Sequence, residues 1–307
     1  MTPQRAQWAA RRRQIETSRY WVGPDGPRGR WRKLFFSSLL ALFGWGLRLT
    51  PVHARGRRNA LDLRLRKHEI VVPGLPASFD GYRILHVSDT HLDTLPELAD
   101  IARALLADIE VDLLALTGDI RGRLTAPIEL SAGLLDTALS SLRVRDRRLA
   151  ILGNHDSIGM VGTLERSGYE VLVNESTVLR RGDHALRITG LDDAHFFYTP
   201  ATHAALEAHN GECRIALVHS GEMADRAAAA GYALYLCGHT HGGQIALPGG
   251  RPIVSQLTRC RHTAAGLWRD GAMIGHTSSG LGVSPPIVRF NTRGEAALLT
   301  LRCATPA

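Results

Sequence analysis

The chain predicts an α/β fold, a layered sheet with parallel stretches, and three observations carry that prediction. From Leu61 onward, short apolar runs of strand length alternate with stretches whose apolar residues recur at helical spacing. The runs RILHV, LLALT, LAIL, RIALV and ALYLC each end abruptly at polar residues or glycine, as buried strands do. Finally, 307 residues at 44% hydrophobic and 21% charged describe an ordinary globular protein with a sizeable core.

Residues 1–58 read as a basic N-terminal arm and 59–307 as the main domain. The arm carries thirteen Lys or Arg against Glu16 and Asp25, a net +11 in a chain of +8, so the main domain is at −3. That distribution disfavours a polyanion-binding groove on the main domain, and with it nucleic acid as a partner. Within the arm, WVGPDGPRGR (Trp21 to Arg30) is linker-like, and LFFSSLLALFGWGL (Leu34 to Leu47) is an uncharged run of fourteen residues. As a helix this run extends roughly 21 Å, short of the roughly 30 Å hydrocarbon core of a bilayer. Arg32, Lys33 and Arg48 flank it on both sides. It therefore suits an anionic membrane surface, lying in the cytoplasmic leaflet of an inner membrane or spanning it with local thinning. A signal peptide cleaved near Val52-His53-Ala54 is disfavoured by the long polar lead and by Arg48, and membrane association is preferred both to it and to a buried core helix.

Thr50-Pro51 is expected to close the apolar helix. LDLRLRKHEIVV, from Leu61, alternates as a half-buried strand. Glu97 to Ile109 places Leu98, Ile101, Leu105 and Ile109 on one helical face, and Glu129 to Leu142 does the same with Leu130, Leu134, Leu135, Leu139 and Leu142. Four scattered cysteines without a Cys-x-x-Cys pair predict buried free thiols and favour a reducing compartment.

The residues at the end of each apolar run identify the site. RILHV leads to Ser88-Asp89-Thr90-His91, LLALT to Gly118-Asp119, and LAIL to Gly153-Asn154-His155-Asp156. RIALV leads to His219 and ALYLC to Gly238-His239-Thr240-His241. Ligands of open α/β sheets bind at the carboxyl ends of strands, so five strand ends deliver carboxylate, imidazole and amide groups to one rim. Each pair alone would be an unremarkable loop; together and in order they predict a metal or anion site.

In these blocks the sequence resembles the calcineurin-like metallophosphoesterase superfamily, with its D-x-H, G-D, G-N-H-[DE], H and G-H-x-H signature, from about Phe79 to the C-terminus. GHTHGGQ, then IALP (Ile245 to Pro248) and GLGVSPPIVRF (Gly280 to Phe290), resemble a bacterial branch of membrane-associated phosphodiesterases. Some members of that branch hydrolyse UDP-2,3-diacylglucosamine in lipid A biosynthesis. Gly294 departs from it, replacing a proline common before Glu295. The resemblance implies a layered β-sandwich of mixed sheets flanked by helices, and two divalent metal ions bridged by Asp119. Asp89, His91 and His241 complete the first ion's ligands, and Asn154, His219 and His239 the second's. It also implies a phosphodiester or pyrophosphate bond attacked by a hydroxide held between the ions. His155, outside the ligand set, would be the catalytic proton donor, and Asp156 would orient it or cap a helix. A thiolate-free ligand set points to Mn, Fe, Zn or Ni.

The aromatic loop DDAHFFYTP offers His195, Phe196, Phe197 and Tyr198 as substrate contacts, against the plainer reading that it packs its own rings on the domain. His86, inside a strand run, reads as a satisfied core histidine. The expected partner is a lipid-linked phosphoester. A soluble-type nucleotide or nucleic-acid phosphodiesterase is disfavoured by the charge distribution, and a non-catalytic scaffold by the completeness of the ligand set.

Overall fold

Two six-stranded sheets packed face to face form the body of the protein in a computed structural model that describes residues 2–18, 35, 38–39, 42–197, 199–207 and 212–304. The first sheet is ordered β1 (Arg64–Val72), β12 (Glu295–Cys303), β2 (Arg83–Val87), β3 (Glu110–Thr117), β4 (Arg143–Ile151), β5 (Glu170–Val171). All its pairings are parallel except β12 with β2. The second runs β10 (Gly266–Asp270), β11 (Met273–Thr277), β9 (Leu234–Cys237), β8 (Cys213–Leu217), β7 (His184–Gly190), β6 (Glu175–Arg181). Its centre is parallel and its two outer pairings are antiparallel.

The strands are apolar on both faces because both faces are covered. In β3, Leu113 and Ala115 point into the layer between the sheets, where they meet Ile188 of β7 and Ile215 of β8. Leu114 and Leu116 point the other way, towards Leu98 and Ala102 of α3 (Glu97–Leu105), Leu135 of α4 (Ile128–Leu139) and Leu164 of α5 (Gly159–Arg166). The outer face of the second sheet is covered by Leu206 of α6 (Pro200–Glu207) and Ala227 of α7 (Ala224–Ala229). The result is the layered sandwich of mixed sheets flanked by helices that the sequence resemblance implied.

Several boundaries differ from the sequence reading. Helix α3 stops at Leu105, before Ile109, because Asp108 takes a left-handed conformation at φ 63° and turns the chain into β3. Helix α4 ends at Leu139, while Leu142 still packs in the same core. Leu61 belongs to helix α2 (Pro51–Leu61), and the strand begins at Arg64. Thr50-Pro51 opens that helix as well as ending the preceding one: Thr50 is extended at φ −115°, and Pro51 fits the first turn, where no N–H partner is needed. Residues 42–48 are helical, and Leu42, Phe43, Trp45 and Leu49 are exposed; the rest of the apolar run falls partly outside the described residues. No described helix is long and apolar enough to cross a membrane. All four cysteines are free.

Helix α1 (Pro3–Ser18) lies within the segment read as an arm and docks on the sandwich. Thr2 Oγ1 accepts from Arg5 N at 3.2 Å, capping the helix, and Pro3 opens its first turn. Trp8 packs on the core of the first sheet, with Ala9, Arg12 and Ile15 buried beside it.

Candidate metal centre

Three strands of the first sheet and two of the second end at one buried cluster. After β2 come Asp89 and His91, after β3 Asp119, after β4 Asn154 and His155, after β8 His219, and after β9 His239 and His241. The chain leaves these strands in unusual backbone conformations. Asp89, His91, Asp119, His239 and His241 all have positive φ, between 37° and 70°. Non-glycine residues avoid this region, and where it clusters it marks a site whose geometry is set by function. Glycine permits the close approach: a Cβ on Gly238 would overlap the Asp89 carboxylate, and one on Gly153 would overlap that of Asp119.

Two groups of potential ligands result, Asp89 with His91 and His241, and Asp119 with His219 and His239, each with ligand atoms within 4.8 Å of one another. All six side chains are buried. Asp119 Oδ2 stands between the groups, 3.7 Å from His91 Nε2 and 3.4 Å from His219 Nε2. Asn154 Oδ1 lies 3.1 Å from His219 Nε2 and 3.0 Å from His239 Nδ1, so the amide joins the second group. The structure thus brings together every residue that the sequence assigned to the two ligand sets.

The fit to cations rests on what these atoms lack. Asp89 Oδ1 and His91 Nε2, 3.9 Å apart and facing one another, are buried and have no hydrogen-bond partner. Such groups cost free energy unless something electrophilic satisfies them. The opposite nitrogen of His91 is held, Nδ1 donating to Arg121 O at 2.6 Å, and His219 Nδ1 likewise donates to Thr117 O at 2.8 Å. Those bonds fix the tautomer that aims Nε2 inward, the arrangement characteristic of metal-ligating imidazoles. Burial, and after it the Asp119 charge, raises the Asp89 carboxyl to about 7. Burial lowers His91 to about 4 and keeps His239 and His241 well below the usual histidine value. Burial also opposes charge on His219 and Asp119, but their mutual attraction outweighs it, raising the imidazole and lowering the carboxyl. The neutral imidazoles of His91, His239 and His241 beside carboxylate and amide oxygens suit divalent ions.

His155 stands at the open side. Its side chain is 30% exposed, its Nε2 lies 3.9 Å from Asp119 Oδ2, and its backbone N donates to Asp119 Oδ1 at 2.8 Å. Asp156 does neither thing expected of it. Its carboxylate accepts from Ile120 N at 3.0 Å, Arg121 N at 3.3 Å and Gly153 N at 2.9 Å, tying the β3 and β4 exits together.

In the aromatic loop, His195 reaches the centre, its ring 4.7 Å from that of His239 and its Nδ1 3.2 Å from Glu222 Oε2. Phe196 is half-buried against His195, with ring centroids 4.7 Å apart. Phe197 is buried under the Arg12 guanidinium, 3.7 Å from the ring centroid, so this ring packs on the chain itself. Tyr198 lies outside the described residues.

Sequence reasoning missed several supporting residues. Ser284 Oγ is 3.3 Å from His241 Nε2. Arg289, fully buried, donates to His241 O at 3.1 Å and to Ser279 O and Gly282 O at 2.5 and 2.7 Å; burial lowers its pKa to about 10. The motif GLGVSPPIVRF contains both Ser284 and Arg289, but nothing in it says that the arginine points inward.

A two-sheet sandwich whose strand ends converge on paired buried Asp and His groups defines a metal-dependent phosphoester hydrolase. The profile of calcineurin-like phosphoesterases matches residues 82–243, and the chain belongs to that family. It is 29% identical over 245 residues to the uncharacterized metallophosphoesterase YkuE of Bacillus subtilis, covering 77% of this chain and 84% of that one. It is 30% identical over 233 residues to phosphodiesterase YaeI of Escherichia coli, covering 72% and 82%. Among solved structures, a putative 5'-nucleotidase from Staphylococcus aureus aligns at 13% identity and a TM-score of 0.42. That alignment covers 73% of this chain, which spans only 55% of that longer protein.

Proposed function

We propose that the protein cleaves a phosphodiester or pyrophosphate link between a lipid and a polar head at an anionic membrane surface, with UDP-2,3-diacylglucosamine as the leading substrate. The observation behind this reading is the exposed apolar run beside a phosphoesterase domain. Leu42, Phe43, Trp45, Leu49 and Val52 are exposed, with Arg48, Arg55, Arg57 and Arg58 close by in sequence. Apolar side chains bordered by cations bind the interface of anionic bilayers. An enzyme held there meets lipid-linked substrates at high effective concentration.

Asp89, His91 and His241 would hold one divalent ion and Asn154, His219 and His239 a second, with Asp119 shared. The bound ions supply positive charge at the phosphoryl oxygens and an acidified water as nucleophile. The chain's own residues do the rest. The carbonyls of Arg121 and Thr117 keep the His91 and His219 tautomers fixed. His155, partly open to solvent, delivers a proton to the departing oxygen, and its N–H bond to Asp119 keeps it beside the cluster. His195 and Phe196 border the centre where the polar head would lie.

The test is a side-by-side assay of Mn²⁺-loaded protein on a small diester, a phosphomonoester, UDP-2,3-diacylglucosamine and its deacylated form. The acylated substrate should give the highest kcat/KM. Equal kcat/KM with and without acyl chains would overturn the lipid assignment and leave the phosphoesterase intact.

A further inference from the structure

Helix α1 lies outside residues 82–243 and carries no ligand motif, yet it reaches the segment that bears Asn154 and His155. Trp8, Arg12 and Glu16 recur every four residues and so share one helical face. From that face Arg12 Nη2 donates to Gly153 O at 3.1 Å and to Asp156 O at 2.7 Å. These are the carbonyls on either side of Asn154 and His155. Its Nη1 pairs with Asp192, whose other oxygen accepts from Trp8 Nε1 at 2.7 Å. Glu16 Oε1 accepts from Arg12 Nε at 3.2 Å and from Ile158 N at 2.8 Å, gripping the same segment one residue beyond Ser157. The guanidinium face covers Phe197 of the loop that carries His195.

Arg12 is 1% exposed and Asp192 is also 1% exposed. A surface helix that served only to cover apolar area would not bury an arginine and spend its donors on the carbonyls flanking a catalytic histidine. Lysine, with one nitrogen, cannot reproduce a fork that bonds two carbonyls and a carboxylate at once.

We infer that Arg12 is a positioning residue for the hydrolytic reaction: through the Gly153 and Asp156 carbonyls it sets the place of His155, and through Asp192 it locks the His195 loop to the same frame. The inference rests on the reading of His155 as proton donor. It makes the N-terminal helix part of the catalytic apparatus.

The experiment compares full-length wild type, Arg12→Lys, Arg12→Ala and His155→Asn. Each is measured for melting temperature, metal content and kcat on diesters of good (nitrophenol) and poor (alkyl alcohol) leaving groups. Arg12→Lys should fold and hold its metal yet lose roughly 10²-fold in kcat on the poor leaving group, the scale of a small misplacement at a reacting centre, with KM little changed. The nitrophenyl substrate, which needs less protonation, should lose less. Guanidinium ion at tens of millimolar should restore turnover to Arg12→Ala; if that variant does not fold, the leaving-group split in Arg12→Lys carries the test. Wild-type kcat in the Arg12 variants, or a loss that is equal for both leaving groups and matches the unfolded fraction, would overturn the inference. Equal losses in His155→Asn would instead remove the proton-donor reading, and guanidinium rescue would still decide the positioning role.

Discussion

His86 and His276 are buried as completely as His91 and His239, yet the two pairs live in opposite chemical situations. His86 Nδ1 lies 2.9 Å from His276 Nδ1, and its Nε2 lies 2.8 Å from Thr117 Oγ1. Both its nitrogens are therefore satisfied by the protein, and burial lowers the ring to about 3, so it stays neutral. His91 and His239 each keep one buried nitrogen without a partner. Histidine content and depth are the same in both places; the number of unpartnered ring nitrogens separates a core pair from a candidate ligand pair. The two regions also touch, because Thr117 supports His86 through its hydroxyl and His219 through its carbonyl.

The sharpest way to test that distinction is Asp119→Asn. Asp119 lies between both ligand groups, so its loss should remove metal and activity together, by on the order of 10⁴-fold in turnover. Elemental analysis showing two ions in the mutant would refute the shared-ligand assignment. His155→Asn should separate what Asp119→Asn joins. Metal content should stay at the wild-type value while kcat on poor leaving groups falls roughly 10²- to 10⁴-fold. The smallest effect is expected from the satisfied pair. His86→Leu strands His276 Nδ1 and Thr117 Oγ1, at a cost of about 1–3 kcal/mol in denaturant unfolding, with metal content unchanged. Loss of metal in that mutant would break the comparison and show that the pair supports the site through Thr117.

Legibility in the sequence divides along the same line. The strand-end residues are legible because each comes directly after its own apolar run, so local pattern and function coincide. The role of Asp156 is not, because its partners, the N–H groups of Ile120 and Arg121, belong to a distant strand exit that spacing does not reveal. Arg12 is illegible for a stronger reason. It sits in Arg11-Arg12-Arg13, where a basic run reads as a solvated face, and only the docking of α1 buries the middle side chain. Phe197 reads as a substrate contact for want of the same fact, since Arg12 is what covers it.

Each ligand group draws from both sheets. Asp89 and His91 come after a strand of the first sheet and His241 after one of the second; Asp119 belongs to the first, and His219 and His239 to the second. Neither candidate ligand group is complete until the later half of the chain has left the ribosome and packed on the earlier half. A nascent chain that ends before His219 has Asp89, His91, Asp119 and Asn154 but lacks His219, His239 and His241, and should take up no Mn²⁺ at native affinity, as equilibrium dialysis of such a fragment would show. Metal uptake would then be a late event in biogenesis, and a bound ion would tie together residues that belong to both sheets.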